Sequence, residues 1–290
     1  MSEPHPPLPL VREAVARALA EDLAPLGDMT AGLLPVDVQA SAAFVSREEG
    51  VMAGRLCASE AFAQLDPAVV VEWHLDDGAD LVPDDVLGRV EGPLPSLLAA
   101  ERTALNFLRH LSGVATLTRR FVRATHGRAT ILDTRKTTPG LRALEKAAVR
   151  AGGGTNHRGS LSDGVLIKDN HLAGMGIAEG VRRARLRWPG RLVEVECDTL
   201  DQLSLALRAG AGMVLLDNME PDQVREAVKL VAAAAAQGAG PVAVEVSGGI
   251  TLKTVGEYAD IDGVDFISVG ALTSSAPVLD IGLDLDAEGR

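Results

Sequence analysis

Six short apolar runs in the second half of the chain constrain its fold more than any other feature. The runs are ATILDTRK, GVLIKDN, LVEVECD, MVLLDN, VAVEVSGG and FISVGA. Their ends lie about 20 to 36 positions apart, the length of a strand–helix unit. Helical patterns fill most of the intervals. Six such units predict an α/β fold with an open sheet or a barrel, in which ligands bind at the carboxyl ends of the strands.

Residues capable of chemistry are concentrated at these predicted strand ends. They are Asp133, Thr134, Arg135, Lys136, Lys168, Asp169, Asn170, Glu196, Asp217, Asn218, Ser247, Gly248, Gly249 and Gly270. One polar strand end is ordinary, but six in succession with complementary charges indicate a shared site. Glu194 and Glu196 fall on one face of their strand, because side chains alternate. Glu245 and Ser247 do the same on theirs, which requires a wet or cationic interior.

The first half of the chain predicts a small α+β domain. Helices are expected over residues 10–20 and 55–65, and strands near residues 43–46, 69–75 and 86–91. A long amphipathic helix follows Pro95, and Gly113 is expected to bend it or end it. The predicted domains are residues 1–112 and 113–280, with the tail 281–290 packing on the first.

The charge balance limits the classes of partner. The chain carries 28 Lys and Arg against 40 Asp and Glu, a formal net charge of -12. Such a field repels nucleic acid and anionic membranes, so neither is expected as a partner. The two cysteines, Cys57 and Cys197, form no CxxC pattern, and no secretory signal or apolar span is evident. A cytoplasmic location is therefore expected.

One segment of the second half concentrates cations at predicted strand ends and in a glycine-bounded loop. They are Arg135, Lys136, His157, Arg158 and Lys168. Lysine is rare, with five against 23 arginines, and a compact ammonium suits a phosphate oxygen while a guanidinium suits a carboxylate. Arg142, Lys146 and Arg150 lie four apart on a predicted helix, which is typical of a solvated face.

Two further groups suggest an anionic ligand and a metal. SGG at 247–249 follows a strand and its amides could bind a phosphate, with Gly270 supplying a second approach. Glu196 and Asp217 could bind Mg²⁺, stabilise positive charge on a sugar, or pair with nearby cations. Arg102, Asn106 and Arg109 form a polar stripe on the long helix, which alone reads as an ordinary exposed stripe.

Several motifs in fixed order resemble the quinolinate phosphoribosyltransferase family, also called nicotinate-nucleotide pyrophosphorylase (carboxylating). They are ERTALNFLRHLSGVAT, DTRKTTPG, GGGTNHR, LIKDNH, VEVEC, LLDN and VEVSGGI, between GDMTAGLLP and SVGALTSSAPVLDIGLD. The resemblance implies an N-terminal α/β sandwich domain and a C-terminal open, roughly six-stranded α/β barrel of the type II phosphoribosyltransferases. It also implies a homodimer whose active sites are completed across the interface.

The resemblance also implies a role for each matching residue. Arg102 is contributed by the neighbouring subunit. Thr134, Arg135, His157 and Arg158 surround the quinolinate carboxylates. Lys136, Lys168, Glu196 and Asp217 are catalytic, the lysines contacting substrate and phosphoribosyl pyrophosphate and the acids lying near the ribose and Mg²⁺. Ser247, Gly248, Gly249, Gly270 and Ala271 hold the 5-phosphate.

The implied reaction joins quinolinate to phosphoribosyl pyrophosphate in de novo NAD biosynthesis, giving nicotinate mononucleotide, pyrophosphate and CO₂. The chain departs from the family at Gly159-Ser160, since the family more usually has a glycine one position later. Three alternatives stay open at this point. They are a paralogue associated with molybdenum transport and using another acceptor, a phosphate-binding lyase or isomerase with Lys168 as Schiff-base residue, and a non-catalytic binding dimer.

Overall fold

The computed structural model describes residues 5–35, 37–238 and 240–286. They divide into two compact units. The first unit comprises residues 1–119, 136–153 and 271–290, and the second comprises residues 120–135 and 154–270. The predicted domain boundary at residues 112 and 113 falls inside one continuous helix, α3, which spans Leu94–Ala124.

The remaining elements follow in chain order. The helices are α1 Leu8–Leu23, α2 Arg55–Leu65, α4 Arg142–Ala151, α5 Asp169–Leu172, α6 Ile177–Arg187, α7 Leu200–Ala209, α8 Pro221–Ala236, α9 Val255–Ala259 and α10 Ala271–Ser274, with a 3-10 turn at Ala31–Leu33. The strands are β1 Gln39–Ser46, β2 Gly50–Val51, β3 Val70–Trp73, β4 Asp80–Leu81, β5 Val86–Pro93, β6 Thr130–Leu132, β7 Val165–Ile167, β8 Val193–Cys197, β9 Met213–Asp217, β10 Ala243–Ser247, β11 Phe266–Ser268 and β12 Ile281–Leu285. Most predicted elements lie within a few residues of these bounds.

The first unit contains an antiparallel sheet in the order β12-β1-β5-β3. Strand β12, near the C-terminus, pairs with β1 in the register Phe44↔Leu283. Phe44 is fully buried, stacks on Trp73 at 4.8 Å between ring centroids and meets Phe62 edge-on at 6.1 Å. These aromatic contacts join β1, β3 and α2 into one core.

Helices α3 and α4 each correct one expectation for the first unit. Gly113 does not end α3, since the helix continues to Ala124. A side chain at Gly113 would overlap the backbone carbonyl of Pro277, so the glycine is needed for close approach of the backbone. The solvated face expected on α4 is also wrong, because Lys146 is only 6% exposed and Glu145 beside it is fully buried.

The second unit contains a parallel sheet in the order β6-β11-β10-β9-β8-β7. Among the described strands, β6 and β7 are the two edges and do not pair with each other, so the sheet is open. This confirms the α/β fold with an open six-stranded sheet. Apolar strands and amphipathic helices explain it, because the inner strands are buried on both faces.

Local capping fixes where the strand–helix units begin and end. Thr199 caps α7 by accepting the Gln202 N–H at 3.2 Å, and the Gln202 side chain accepts the Thr199 N–H at 3.2 Å. Gly210, with φ 81°, ends the helix in the left-handed conformation. Each such unit delivers the end of one strand to the same edge of the sheet. None of the helices described here is long and apolar enough to cross a membrane.

Candidate active site

Lys168 and Glu196 form an ion pair at the carboxyl ends of the adjacent strands β7 and β8. The Glu196 side chain is 8% exposed and that of Lys168 is 40% exposed. The Lys168 N–H also donates to Nδ1 of His171 at 2.9 Å, which fixes the turn into α5. An inward carboxylate and a reachable ammonium therefore meet where a strand-end ligand would bind.

Asp217 and Ser247 lie directly opposite each other at the ends of β9 and β10. Oδ2 of Asp217 accepts Nδ2 of Asn218 at 2.7 Å, and the Asn218 N–H donates to the Ser247 carbonyl at 2.9 Å. Asn218 adopts the left-handed conformation, with φ 53°, which a short polar side chain tolerates. The two strand ends are thus connected by a short polar turn.

The glycines after Ser247 form a turn without side chains. Gly248 has φ 96° and Gly249 has φ 61°, conformations that favour glycine. A side chain on Gly248 would overlap the Asn218 amide, whereas nothing lies within 4 Å of one on Gly249. The backbone therefore stays accessible at a strand end, as a phosphate requires. Gly270 follows the next strand, β11.

Arg135 and Arg158 place two guanidinium groups near each other beyond the sheet. Burial, and then the charge of Arg135, lower the pKa of Arg158 from its usual range. Nη1 of Arg158 donates to the Gly164 carbonyl at 3.2 Å, which holds the side chain across its loop. Two like charges brought this close favour binding of an anion with carboxylate groups.

His157 lies between two buried carboxylates of the sheet. Its Nε2 is 3.1 Å from Oε2 of Glu194 and 3.3 Å from Oε2 of Glu245. Burial by itself would lower the pKa of His157, but the two carboxylates raise it to about 10. Burial also raises the pKa of Glu194. The two acids therefore share one basic partner where the alternation of β8 and β10 places them inward.

A second contact on the His157 ring acts in the opposite direction. The Arg158 N–H points at Nδ1 at 2.8 Å and favours a lone pair there. A neutral hydrogen bond contributes about 1 kcal/mol, and charge-assisted contacts are roughly twice as strong each. The two carboxylates on Nε2 therefore dominate and hold a proton on that atom, while Nδ1 accepts the Arg158 N–H.

Asp133 supports this loop from the end of β6. It is fully buried; its Oδ1 accepts the His157 N–H at 2.9 Å and its Oδ2 accepts Nδ2 of Asn156 at 2.6 Å. Thr134 and Arg135 follow it directly and are half-buried. One buried carboxylate thus fixes the backbone that carries His157.

Arg102, Lys136 and Ala271 belong to the first unit. Lys136 is exposed, and its carbonyl accepts the Thr273 hydroxyl at 2.8 Å. Ala271 begins α10. The Arg102 side chain is 56% exposed and lines a cavity of about 520 Å³ in this unit.

The polar stripe predicted on α3 contains a different third residue in the structure. Arg109 is turned away from it, since its guanidinium contacts Asp280 at 3.1 Å and the Leu279 carbonyl at 3.3 Å. The cavity is lined instead by Arg102, Asn106 and His110. Nε2 of His110 contacts the buried Glu145 at 2.8 Å, and Glu145 also accepts the Thr138 N–H at 3.0 Å. Sequence reasoning missed His110 and Glu145, which carry no motif.

The donor atoms suited to a divalent cation are carboxylate oxygens of Glu196 and Asp217. They lie at the ends of adjacent strands, and hard oxygen donors fit Mg²⁺. Among the described residues a second cluster, His157 with Glu194 and Glu245, also has ligand atoms within 4.8 Å of one another. Sequence reasoning placed Glu194 and Glu245 inward but assigned them no partner.

Comparison with known proteins covers both units. A family model described as Quinolinate phosphoribosyl transferase, C-terminal domain matches residues 114–284, and its N-terminal counterpart matches residues 28–112. The chain belongs to the quinolinate phosphoribosyl transferase family. Membership in this family accounts for the order of the motifs along the chain.

Individual relatives within the family match along nearly their whole length. A probable nicotinate-nucleotide pyrophosphorylase (carboxylating) of Bacillus subtilis is 43% identical, over 89% of this chain and 88% of its own. The nicotinate-nucleotide pyrophosphorylase (carboxylating) of Mycobacterium leprae is also 43% identical, over 94% and 96%. The solved structure of the Francisella tularensis nicotinate-nucleotide pyrophosphorylase has a TM-score of 0.91 at 38% identity and covers 99% of both chains.

Proposed function

We propose that this chain transfers the phosphoribosyl group of phosphoribosyl pyrophosphate to quinolinate, with decarboxylation, in de novo NAD biosynthesis. The products are nicotinate mononucleotide, pyrophosphate and CO₂. The observation that carries the proposal is the pair of neighbouring guanidiniums, Arg135 and Arg158, at the end of a sheet that also carries inward acids and a glycine turn. The names of the relatives give independent support.

The acceptor half of the site is cationic. Quinolinate has two adjacent carboxylates, and planar guanidiniums bind carboxylates through paired hydrogen bonds. Arg135 and Arg158 bind these groups, with His157 and Thr134 beside them. Holding the ring in one orientation brings its nitrogen to the anomeric carbon, and such positioning lowers the barrier by about 7 kcal/mol or more in favourable cases.

The donor half uses the acids and the glycine turn. As pyrophosphate leaves, positive charge develops on the ribose, and Glu196 and Asp217 stabilise it. A preorganised contact of this kind contributes roughly 3 kcal/mol. Lys136 and Lys168 contact the anionic groups, and Ser247, Gly248, Gly249, Gly270 and Ala271 hold the 5-phosphate. Glu196, Asp217 and the donor's own oxygens would hold Mg²⁺, which would neutralise charge on the leaving pyrophosphate.

Decarboxylation needs no nucleophile from the protein. Once the ring nitrogen is bonded to the ribose it is positively charged, so it stabilises the electron pair left on the adjacent ring carbon when the carboxylate leaves as CO₂. A proton from water then bonds to that carbon and gives nicotinate mononucleotide. Cys57 and Cys197 have no part in this step, since both are buried and burial raises the pKa of each thiol to about 12. The ion pair of Lys168 with Glu196 disfavours the Schiff-base alternative, which needs a neutral amine.

The active form we propose is a homodimer in which Arg102 reaches the neighbouring active site. Its support is the exposed guanidinium of Arg102, which lines a cavity of its own unit beside Asn106 and His110. An exposed arginine at such a surface can serve a second copy of the chain. We also propose a cytoplasmic location, because both cysteines are free thiols; fractionation of cells tests it.

One assay tests the function. Purified protein is incubated with quinolinate, phosphoribosyl pyrophosphate and Mg²⁺, and pyrophosphate is measured. Release that requires both substrates supports the proposal. Release with nicotinate at the same rate would contradict it, because nicotinate lacks the second carboxylate that the paired arginines bind. Inactivity of folded dimer with quinolinate would favour another acceptor, as in the paralogue associated with molybdenum transport.

A further inference from the structure

Glu194 and Glu245 are buried carboxylates for which the proposed reaction has no use. They are 4% and 1% exposed, on β8 and β10, with β9 between them. Burial of an ionised carboxylate costs several kcal/mol unless a cation and hydrogen bonds offset it. Two such groups in one interior therefore require a partner that offsets this cost.

Their shared partner is one atom, Nε2 of His157. Glu194 accepts a hydrogen bond from it at 3.1 Å, and Glu245 lies 3.3 Å away as an ion pair. Oε1 of Glu194 and Oε2 of Glu245 have no hydrogen-bond partner among the described residues. Both acids therefore face the Nε2 edge of the His157 ring, and both draw that edge inward.

The other side of His157 is fixed as well. The backbone N–H of His157 donates to Oδ1 of Asp133 at 2.9 Å, and the backbone N–H of Arg158 donates to Nδ1 of the His157 ring at 2.8 Å. Ring and backbone are therefore both constrained, so the peptide between His157 and Arg158 has a single orientation. The guanidinium of Arg158 then extends from this peptide and meets the Gly164 carbonyl.

We propose that Glu194 and Glu245 are positioning residues for the acceptor half of the site. They hold the His157 ring in one orientation, and through its peptide they set Arg158 for a carboxylate of the acceptor. This inference rests on the proposed function, because it assigns quinolinate to Arg158. It predicts an effect on acceptor binding that is separate from donor binding.

The direction in which the KM for quinolinate changes distinguishes a positioning role from an effect of negative charge alone. If Glu194 and Glu245 acted only as negative charge near the site, Glu245→Gln would lower the KM for the dianion quinolinate. If they position His157 and Arg158, Glu194→Gln and Glu245→Gln each raise that KM tenfold or more. The KM for phosphoribosyl pyrophosphate stays within twofold. Glu226→Gln, an exposed change on α8, is the matched control and changes neither constant.

A spectroscopic measurement on the substrate-free protein accompanies the kinetics. Ring-nitrogen chemical shifts of His157, assigned by their loss in His157→Asn, are recorded at pH 7.5. We expect a protonated Nε2 in the unaltered chain, and a mixture in which the proton also occupies Nδ1 in Glu194→Gln. If Glu194→Gln does not fold, Glu245→Gln gives the same comparison. A ring protonated on Nδ1 and not on Nε2 in the unaltered chain overturns the inference even when quinolinate is turned over.

The failure of the function and of the inference are separable. A folded protein that does not turn over quinolinate but shows a protonated Nε2 on His157 contradicts the proposed function and leaves the orientation of His157 supported. Equal rises in both KM values, or an unchanged KM for quinolinate, contradict the inference alone. A stoichiometric metal ion that elemental analysis finds in the purified protein and that Glu245→Gln removes would also overturn it, since the three groups would then be ligands.

Discussion

Gly248 lies against the side-chain amide of Asn218, so closely that a methyl group on Gly248 would overlap it. The contact joins the turn after β10 to the turn after β9, where Asp217 ends its strand. The backbone of a proposed phosphate turn and an acid of the proposed donor site are therefore mechanically connected.

Gly248→Ala is expected to raise the KM for phosphoribosyl pyrophosphate tenfold or more. The new methyl group displaces Asn218, and alanine at φ 96° is itself strained, at a cost of about 1 to 2 kcal/mol. Gly249→Ala is the comparison, because its φ of 61° is also left-handed but a methyl group there meets no atom within 4 Å. Steady-state kinetics with the donor varied compares the two. Equal effects in both variants would contradict the role of the Asn218 contact.

Arg135→Ala is expected to reduce kcat/KM for quinolinate by roughly tenfold or more, since one of the paired guanidiniums is lost. Circular dichroism should show the fold retained, because Arg135 is a half-buried residue beyond a strand end. Arg182→Ala, which removes only an exposed ion pair with Glu179, should leave kcat/KM unchanged. Normal kinetics in Arg135→Ala would remove this residue from the site.

Sharing of Arg102 across subunits predicts recovery of activity from two inactive proteins. Arg102→Ala and Lys136→Ala are each expected to lose most activity. After mixing and subunit exchange, one site of each mixed dimer has both residues, so about a quarter of the normal activity returns. Exchange is monitored with differently tagged chains. Exchange without recovery would contradict sharing.

The raised pKa of His157 predicts how stability depends on pH. Its ordinary value is 6.5 and its value in the fold is about 10. The contribution of the group is fully present below pH 6.5 and is lost as pH rises toward 10, by at most about 1.4 kcal/mol per pH unit. Urea unfolding between pH 6.5 and 8.5, below the range where the thiols ionise, should show a steeper decline in the unaltered chain than in His157→Asn. Parallel declines would contradict the shift.

Much of the fold follows from spacing, and the departures have physical causes. Period-two alternation placed Glu194 and Glu245 in the interior, because strand geometry leaves no other choice. It could not identify His157 as their partner, since that contact joins residues 37 positions apart or more. Likewise Lys146 has the spacing of an exposed face yet is buried, because tertiary packing determines which side of α4 meets solvent.

The candidate site shows the same limit. The strand-end residues Lys168, Glu196, Asp217 and Ser247 were predictable, because parallel strands end at one edge of a sheet. The stripe on α3 was only partly predictable. Arg109 contacts Asp280, and His110 lines the cavity with Arg102 instead. A difference of one residue on a helix rotates a side chain by about 100°, and only the packing partner determines which residue faces the cavity.

The central claim is tested most directly with quinolinate labelled in the carboxyl group next to the ring nitrogen. This label is expected to leave as CO₂ only when phosphoribosyl pyrophosphate is present, in an amount equal to the nicotinate mononucleotide formed. Label in the other carboxyl group is expected to stay in the product. Release of CO₂ without the donor, or formation of a nucleotide that keeps both carboxyl groups, would contradict it.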